Sequence, residues 1–486
     1  MSLTSALNTA QSIFNNTGTQ SSVVSNNIAN AGNKDYVRRQ AMITTSLNGA
    51  QVVQISRAQE DPLLRQYLKS NAQDSAQQTL LNGITDIKSV LGGNDYETSP
   101  SEYLSAFRDK LGAFAASPNN TIAAQGAVTA AQDLANSLNN ASSYVQQARL
   151  NADKSIDQQV TTLNSLLSQF ETANNAVKLA TSSGGDASQA LDQRDGLLKQ
   201  ISSIVGVTTT TRANNDMVLY TSDGTTLFET IPRSVTFAAT KSYSAGMDGN
   251  KVYIDGVALA SGAGGTTSGQ GSLQALLQVR DDVAPTFQSQ LDEIAKGLVS
   301  MFSETSTDGT TTLPGLFTWS GGTTPTSGDI IDGIAGSISV SSAVITSAGG
   351  DPMKLRDGAI NGAAYDQNPD PNKSGGYTAQ LDKLNNALGA KMNFNTAAGI
   401  DSNVSIMDFA SNSIGWLEQY RSDADGAAEN TSAALSRSDE AYSNETGVNL
   451  DEELTLMLDI EQSYKAATKI LNAVDEMLKS LLDIAS

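Results

Sequence analysis

The stretch NLDEELTLMLDIEQSYKAATKILNAVDEMLKSLLDIAS, residues 449–486, decides the fold, because its apolar residues return at alternating steps of three and four. Met457, Ile460, Tyr464, Ala467, Leu471, Val474, Leu478 and Leu481 are all apolar, which is the seam of a coiled-coil helix. Asn449 stands at the N-cap with Glu452 three residues on. Asp451, Glu452 and Glu453 place negative charge on the first turn, where the helix dipole is positive.

The other end of the chain carries a matching seam. Leu3, Leu7, Ala10, Phe14, Val24 and Ile28 follow the same alternation, with Thr17 and Ser21 at the two polar positions between them. Asn26-Asn27-Ile28-Ala29-Asn30-Ala31-Gly32 then ends the helix, since Asn and Gly accept the left-handed conformation of a C-terminal cap. Tyr36 to Arg57 reads as extended or irregular. Two such termini suit helices that pair with each other or with neighbouring subunits; two helices inside one bundle would give the same periodicity.

Between the ends, a mostly helical region runs from Asp61 to Val205, broken at Gly92-Gly93 and at Ser182-Ser183-Gly184-Gly185. At Gly206 the period changes. Val207 to Thr211 and Met217 to Tyr220 are β-type runs, and Asp223-Gly224 marks a turn before Thr225 to Phe228. Lys251 to Ile254, followed by Asp255-Gly256, continues that character, and helix resumes from Gly271 to Ser303. A second Gly-, Ser- and Thr-rich stretch holds the strand-like Ser337 to Val340, and helix returns from Tyr377 to the end. The fold class is therefore mainly α with β-rich insertions. The expected division is 1–32 with 449–486 as a terminal coiled-coil layer; 33–205, 271–304 and 377–448 as a helical bundle; 206–270 as a β insertion; and 305–376 as a second, partly β segment.

Composition removes most chemistry. The 486 residues carry 30 Lys plus Arg against 51 Asp plus Glu, a net charge of −21, and contain neither Cys nor His. Disulfides, structural zinc, cysteine proteases and Ser-His-Asp triads are thus excluded. The charge opposes nucleic-acid phosphates and anionic headgroups, and no apolar run approaches bilayer length, so neither nucleic acid nor membrane insertion is expected. The first Lys or Arg is Lys34, so no cleaved secretion signal is expected either.

No catalytic, cofactor or metal residue is marked. Asp366, Asn368 and Asp370 have calcium-loop spacing, but Pro371 stands where the turn Gly is needed and Tyr377 where the bidentate Glu belongs. The Gly cluster at 262–271 matches neither a phosphate loop nor a dinucleotide fingerprint. Asp192 and Asp195 flank Arg194 on a predicted helix and read as surface ion pairing.

The termini also carry a resemblance. Ser25-Asn26-Asn27-Ile28-Ala29-Asn30-Ala31 with Tyr36-Val37-Arg38-Arg39-Gln40 resembles the opening of bacterial flagellar axial proteins. Gly447-Val448-Asn449-Leu450-Asp451-Glu452-Glu453, continuing through Glu461-Gln462-Ser463-Tyr464-Lys465, is similar to their closing segment. Leu191-Asp192-Gln193-Arg194-Asp195-Gly196-Leu197, Gly271-Ser272-Leu273-Gln274-Ala275-Leu276-Leu277, Arg280-Asp281 and Leu313-Pro314-Gly315-Leu316-Phe317 narrow the resemblance to the hook-associated protein 1 family of hook–filament junction proteins.

What the resemblance implies is structural: no enzyme, no cofactor, paired terminal helices as the inner coiled-coil layer of an axial tube, a helical bundle around it, and small β domains outside. Implied partners are further copies in a ring-like assembly, the hook protein, the second junction protein (hook-associated protein 3), and a cytoplasmic export chaperone on the C-terminal helix. The implied location is extracellular, at the junction, reached through the flagellar type III apparatus. Asn26, Asn27, Asn30, Asp192, Arg194, Asp195, Asn449, Asp451 and Glu452 carry the motif, and the two seams would serve assembly. Flagellin and hook-associated protein 3 share the plan; a secreted adhesin or a glycan hydrolase is a weaker alternative, the latter needing an acidic pair in a cleft.

Overall fold

The computed structural model describes residues 3–46, 49–326, 328, 330–373 and 375–485. From the N-terminus come helix α1 (Leu3–Ala29), strands β1 (Arg39–Ser46) and β2 (Gly49–Arg57), and helices α2 (Asp61–Ser89), α3 (Pro100–Ala116), α4 (Thr121–Ser182) and α5 (Ser188–Ile204). Strands β3 (Val207–Thr211), β4 (Met217–Thr221), β5 (Thr226–Phe228), β6 (Val235–Thr236), β7 (Tyr253–Ile254) and β8 (Val257–Ala258) precede helices α6 (Ser272–Gln278) and α7 (Ala284–Met301). Short strands β9 (Glu304–Thr305), β10 (Thr312–Leu313), β11 (Phe317–Thr318) and β12 (Ser339–Val340) lead to α8 (Lys354–Asp357) and α9 (Ala379–Gly389). The chain closes with β13 (Lys391–Asn393), β14 (Asn403–Ser405), α10 (Ile406–Thr446) and α11 (Leu450–Ala485). The chain is mainly α, with small antiparallel sheets and a long paired C-terminal helix.

Helix α4 is the spine. Its 62 residues span about 93 Å at about 1.5 Å per residue. It starts at Asn120, whose Oδ1 accepts the Ile122 and Ala123 amides at 2.9 and 3.2 Å. Its apolar stripe feeds two cores. Leu134 and Leu138 share one with Phe107, Phe114, Phe287, Leu291, Phe317 and Phe409. Leu167 and Phe170 share the other with Leu198, Ile201, Leu219, Phe228 and Ile254.

The two β-rich stretches are laid back along this spine in sequence order. Asn174 donates to Asp216 at 2.8 Å, Phe170 meets Phe228 edge to face at 5.0 Å, and Asn164 donates to the Val235 carbonyl at 2.9 Å. Asp153 then accepts the Thr240 amide at 2.6 Å, Arg149 donates to the Ser244 carbonyl at 3.2 Å, and Asn139 donates to the Ala335 carbonyl at 2.8 Å. Strands β3-β4-β5 and β6-β7-β8 form two antiparallel sheets, and their inward residues Leu219, Leu227, Phe228 and Ile254 are fully buried against α4 and α5.

One stretch read as extended takes a defined form, and two others differ from the sequence expectation. Strands β1 and β2 form an antiparallel pair that sets Arg39 against Arg57 and packs on α1; a bulge opposite Met42 and Ile43 leaves Val53 of β2 unpaired and breaks the alternation of that strand. Residues 391–405 are a second small hairpin, β13 with β14, set inside a span expected to be helical. The helix expected from Gly271 to Ser303 contains a π turn at Val279–Val283 between α6 and α7. Gly271 itself is obligatory: its φ is +90°, and a Cβ there would lie 2.5 Å from the Ile204 carbonyl oxygen.

Candidate assembly interface

Helices α1 and α11 run antiparallel. Phe14 meets Tyr464 edge to face at 4.9 Å, Ser21 Oγ approaches Met457 Sδ at 3.9 Å, and Asn27 Nδ2 donates to Glu453 Oε2 at 3.0 Å. Ala10 and Val24 of α1, and Ile460, Ala467 and Val474 of α11, are buried. Phe14, Ile28, Met457 and Leu471 are half-buried. Leu7, Tyr464 and Leu478 remain exposed, and the side chains of Leu3 and Leu481 lie outside the described residues.

Beyond the seam, α11 shows apolar residues that heptad reading passes over. Leu450, Leu454 and Leu458 follow at steps of four and are 47, 52 and 59% exposed; Met477 and Leu482 are exposed near the other end. The signal for the first three was in the sequence as i, i+4 spacing. Asn449 Oδ1 accepts the Asp451 and Glu452 amides at 3.0 and 3.4 Å and so caps the helix.

The motif residues of the N-terminal segment build a buried polar node where the helix pair meets the rest of the chain. Asn27 is fully buried and satisfied: Nδ2 donates to the Arg39 carbonyl (2.9 Å) and to Glu453, while Oδ1 accepts Tyr36 Oη (2.7 Å) and the Arg39 amide (3.1 Å). Arg38 Nε donates to Glu453 Oε1 at 2.7 Å, and its other arm reaches Glu452 at 3.3 Å. Burial pushes the Tyr36 phenol above its ordinary pKa. Asn30 only braces its own helix end, donating to the Asn26 carbonyl at 2.9 Å, and Asn26 is exposed.

Asp192 and Asp195 are not surface ion pairs with Arg194. Asp192 accepts Arg57 Nε at 2.8 Å and Arg39 at 3.1 Å, and Asp195 accepts Arg57 at 2.6 Å, so both carboxylates clamp the hairpin onto α5. Burial raises the Asp192 pKa in spite of these guanidiniums. Arg194 turns the other way, donating to Asn174 Oδ1 (3.1 Å) and the Asn215 carbonyl (2.6 Å), and burial lowers its pKa. Sequence spacing could not show this, because the partners lie far away in the chain.

Arg280 and Asp281 anchor a second node. Arg280 donates to Asp153 at 2.8 Å with both side chains fully buried, grips Asp281 through Nε at 2.8 Å and Nη2 at 2.7 Å, and reaches the Asn250 carbonyl at 2.6 Å. Tyr243 donates to Asp153 at 2.7 Å beneath the Arg149 guanidinium. The node ties the irregular strap 237–250 to α4.

Neither node has the layout of a reaction centre. The cleft of about 570 Å³ between the end of α1 and α5 is walled by Asn26, Asn30, Gln189 and Gln193, and its Asp192 is already engaged by two arginines. In the 366–370 loop the Lys373 ammonium contacts Asp366 and, at 2.9 Å, the Asn368 carbonyl. Among the described residues no acidic cluster is placed to hold a metal, and no helix is long and apolar enough to cross a membrane.

Comparison with known proteins bears on the same elements. Residues 84–316 match the family model described as flagellar hook-associated protein FlgK helical domain, and residues 440–484 match flagellar basal body rod FlgEFG protein C-terminal. The chain is 24% identical over 503 aligned residues to flagellar hook-associated protein 1 of Bacillus subtilis (strain 168), covering 95% of this chain and 94% of that protein. To the protein of the same name from Salmonella typhimurium it is 24% identical over 317 residues, covering 63% of this chain and 56% of that one. The solved flagellar hook junction protein FlgK from Burkholderia pseudomallei aligns with a TM-score of 0.41 and 21% identity, over 52% of this chain and 46% of that one.

Proposed function

We propose, from the premise that this chain belongs to the flagellar hook-associated protein 1 family, that it is a structural subunit of the bacterial flagellum, built into the junction between hook and filament and held there by its terminal helices. The observation that carries the reading is the antiparallel α1/α11 pair, which leaves Leu450, Leu454, Leu458, Leu478 and Leu482 exposed along one helix. An apolar row of this kind is a cost in water and a contact surface in an assembly.

On this reading the terminal pair forms the innermost layer, further copies of the chain cover the exposed leucines, and the hook protein and hook-associated protein 3 lie on either side. Before export, a cytoplasmic chaperone on α11 would cover the same residues, and the subunit would leave by the flagellar route to an extracellular position. The residues 33–205, 271–304 and 377–448 form the surrounding bundle, and 206–270 and 305–376 lie farther out. The chain acts by assembling, not by catalysis. Flagellin and hook-associated protein 3 fit less well, since each relative named above carries the first junction protein's name.

Deleting the chromosomal copy tests this. Cells should keep hooks but lose filaments and release flagellin into the medium, with rescue by the full chain and none by a chain lacking α11. Normal filaments in the deletion would overturn the reading.

A further inference from the structure

The two faces of the Arg38-Arg39 dipeptide meet different layers. Arg38 holds the terminal pair through Glu453 at 2.7 Å, and its amide donates to the Thr446 carbonyl at the end of α10 at 2.8 Å. Arg39 holds the bundle through Asp192 at 3.1 Å. Between them stands Asn27, whose amide uses both hydrogens and both lone pairs, contacting Glu453 on one side and the Arg39 backbone on the other. Arg39 pairs with Arg57 across the hairpin, and Arg57 closes on Asp192 and Asp195.

We infer that this line of contacts, from Glu453 through Asn27, Arg39 and Arg57 to Asp192, is a conformational relay: closure of the α1/α11 pair sets how firmly the β1/β2 hairpin is held on α5. The physical ground is saturation. Asn27 and Glu453 are fully buried, and the Arg57, Asp195 and Asp192 side chains are 4, 8 and 12% exposed. Asn27 and Glu453 at one end, and Arg57 with Asp195 at the other, cannot exchange partners for water without leaving another buried group unsatisfied. The links at each end therefore form and break together, with Arg39 joining the two ends through its backbone and its reach to Asp192. Arg38 and Arg39 are positioning residues in this scheme. The relay concerns contacts within one chain and stands or falls separately from the protein's place in the flagellum.

Glu453 and Asp192 share no hydrogen bond, so independent sites would act additively and a relay would not. The chain has no Cys, so Ser21→Cys with Met457→Cys, joined by a short thiol cross-linker, fixes the helix pair in the full-length protein. Hydrogen exchange of the hairpin amides is measured with the cross-link open and closed, closure being expected to slow it, for the parent, Glu453→Gln, Asp192→Asn and the double variant, with α4 core amides as the control for folding. The expected double variant departs from the product of the single effects by about fivefold or more, a size within the range for coupled residues. A product matched within about twofold overturns the relay. Should Glu453→Gln disturb the α4 control, Arg38→Lys, which keeps the charge and loses the fork, takes its place in the cycle.

Discussion

Replacing Arg280 by Met should release the strap 237–250 from the spine without unfolding the bundle. The node is balanced as found: Arg149 and Arg280 face Asp153 and Asp281, and Asp153 is fully buried with Arg280 at 2.8 Å, Tyr243 Oη at 2.7 Å and the Thr240 amide at 2.6 Å. Met fills most of the volume but leaves the Asp153 carboxylate without its cation. Removing one partner of a buried pair costs about 3–5 kcal/mol. At about 1.4 kcal/mol per decade, that cost lowers the protection of strap amides by roughly two to four decades. Adding Asp153→Asn removes the stranded charge while keeping an acceptor for Tyr243, so the double variant should recover a large part of the loss. Hydrogen exchange with peptide resolution reads both. A single variant within about fivefold of the parent, or a double variant no better than the single, would refute the electrostatic argument.

Other expectations concern the bundle and the ends. Burial raises Asp292 from 3.8 to about 6, so the folded chain holds a proton that the unfolded chain releases. Its contribution of about 3 kcal/mol is full below about pH 4 and lost as pH rises through about 6. The urea midpoint of the parent relative to Asp292→Asn should fall over that window; a difference that rises or stays flat contradicts it. Leu471→Asp with Leu478→Asp should abolish incorporation into flagella while the bundle keeps its far-ultraviolet spectrum, and unaffected motility would count against the seam. In dilute monomer, both termini should exchange within minutes, because much of the apolar surface of α11 is left uncovered; slow exchange at either end contradicts this.

What the sequence disclosed, and what it hid, follows from range. Helix α11 was legible because its cap and its seam are local, and β3 to β5 because β-branched runs flank Asp223-Gly224. The pairing of β1 with β2 went unread beyond its extended character, because Gly49 already pairs with Ser46 as a strand residue and the unpaired Val53 breaks the alternation of β2. Gly389, Asn393, Asn395 and Gly399 likewise punctuate the stretch that became β13 and β14. The ordered laying of 216–346 along α4 was invisible, since each contact joins residues tens to hundreds of positions apart. So were the partners of the motif: Asp192 and Asp195 look like surface acids until Arg57 arrives from 135 and 138 residues away. The motif residues of both nodes turn out to fasten elements together, which is the chemistry a subunit of an assembly needs.

The most direct measurement is immunogold electron microscopy of sheared flagella, with antibody raised against residues 206–268. A single band at the boundary between hook and filament is the expected result. Label along the whole filament would make the chain a filament subunit instead, and flagella without label would contradict the assignment altogether.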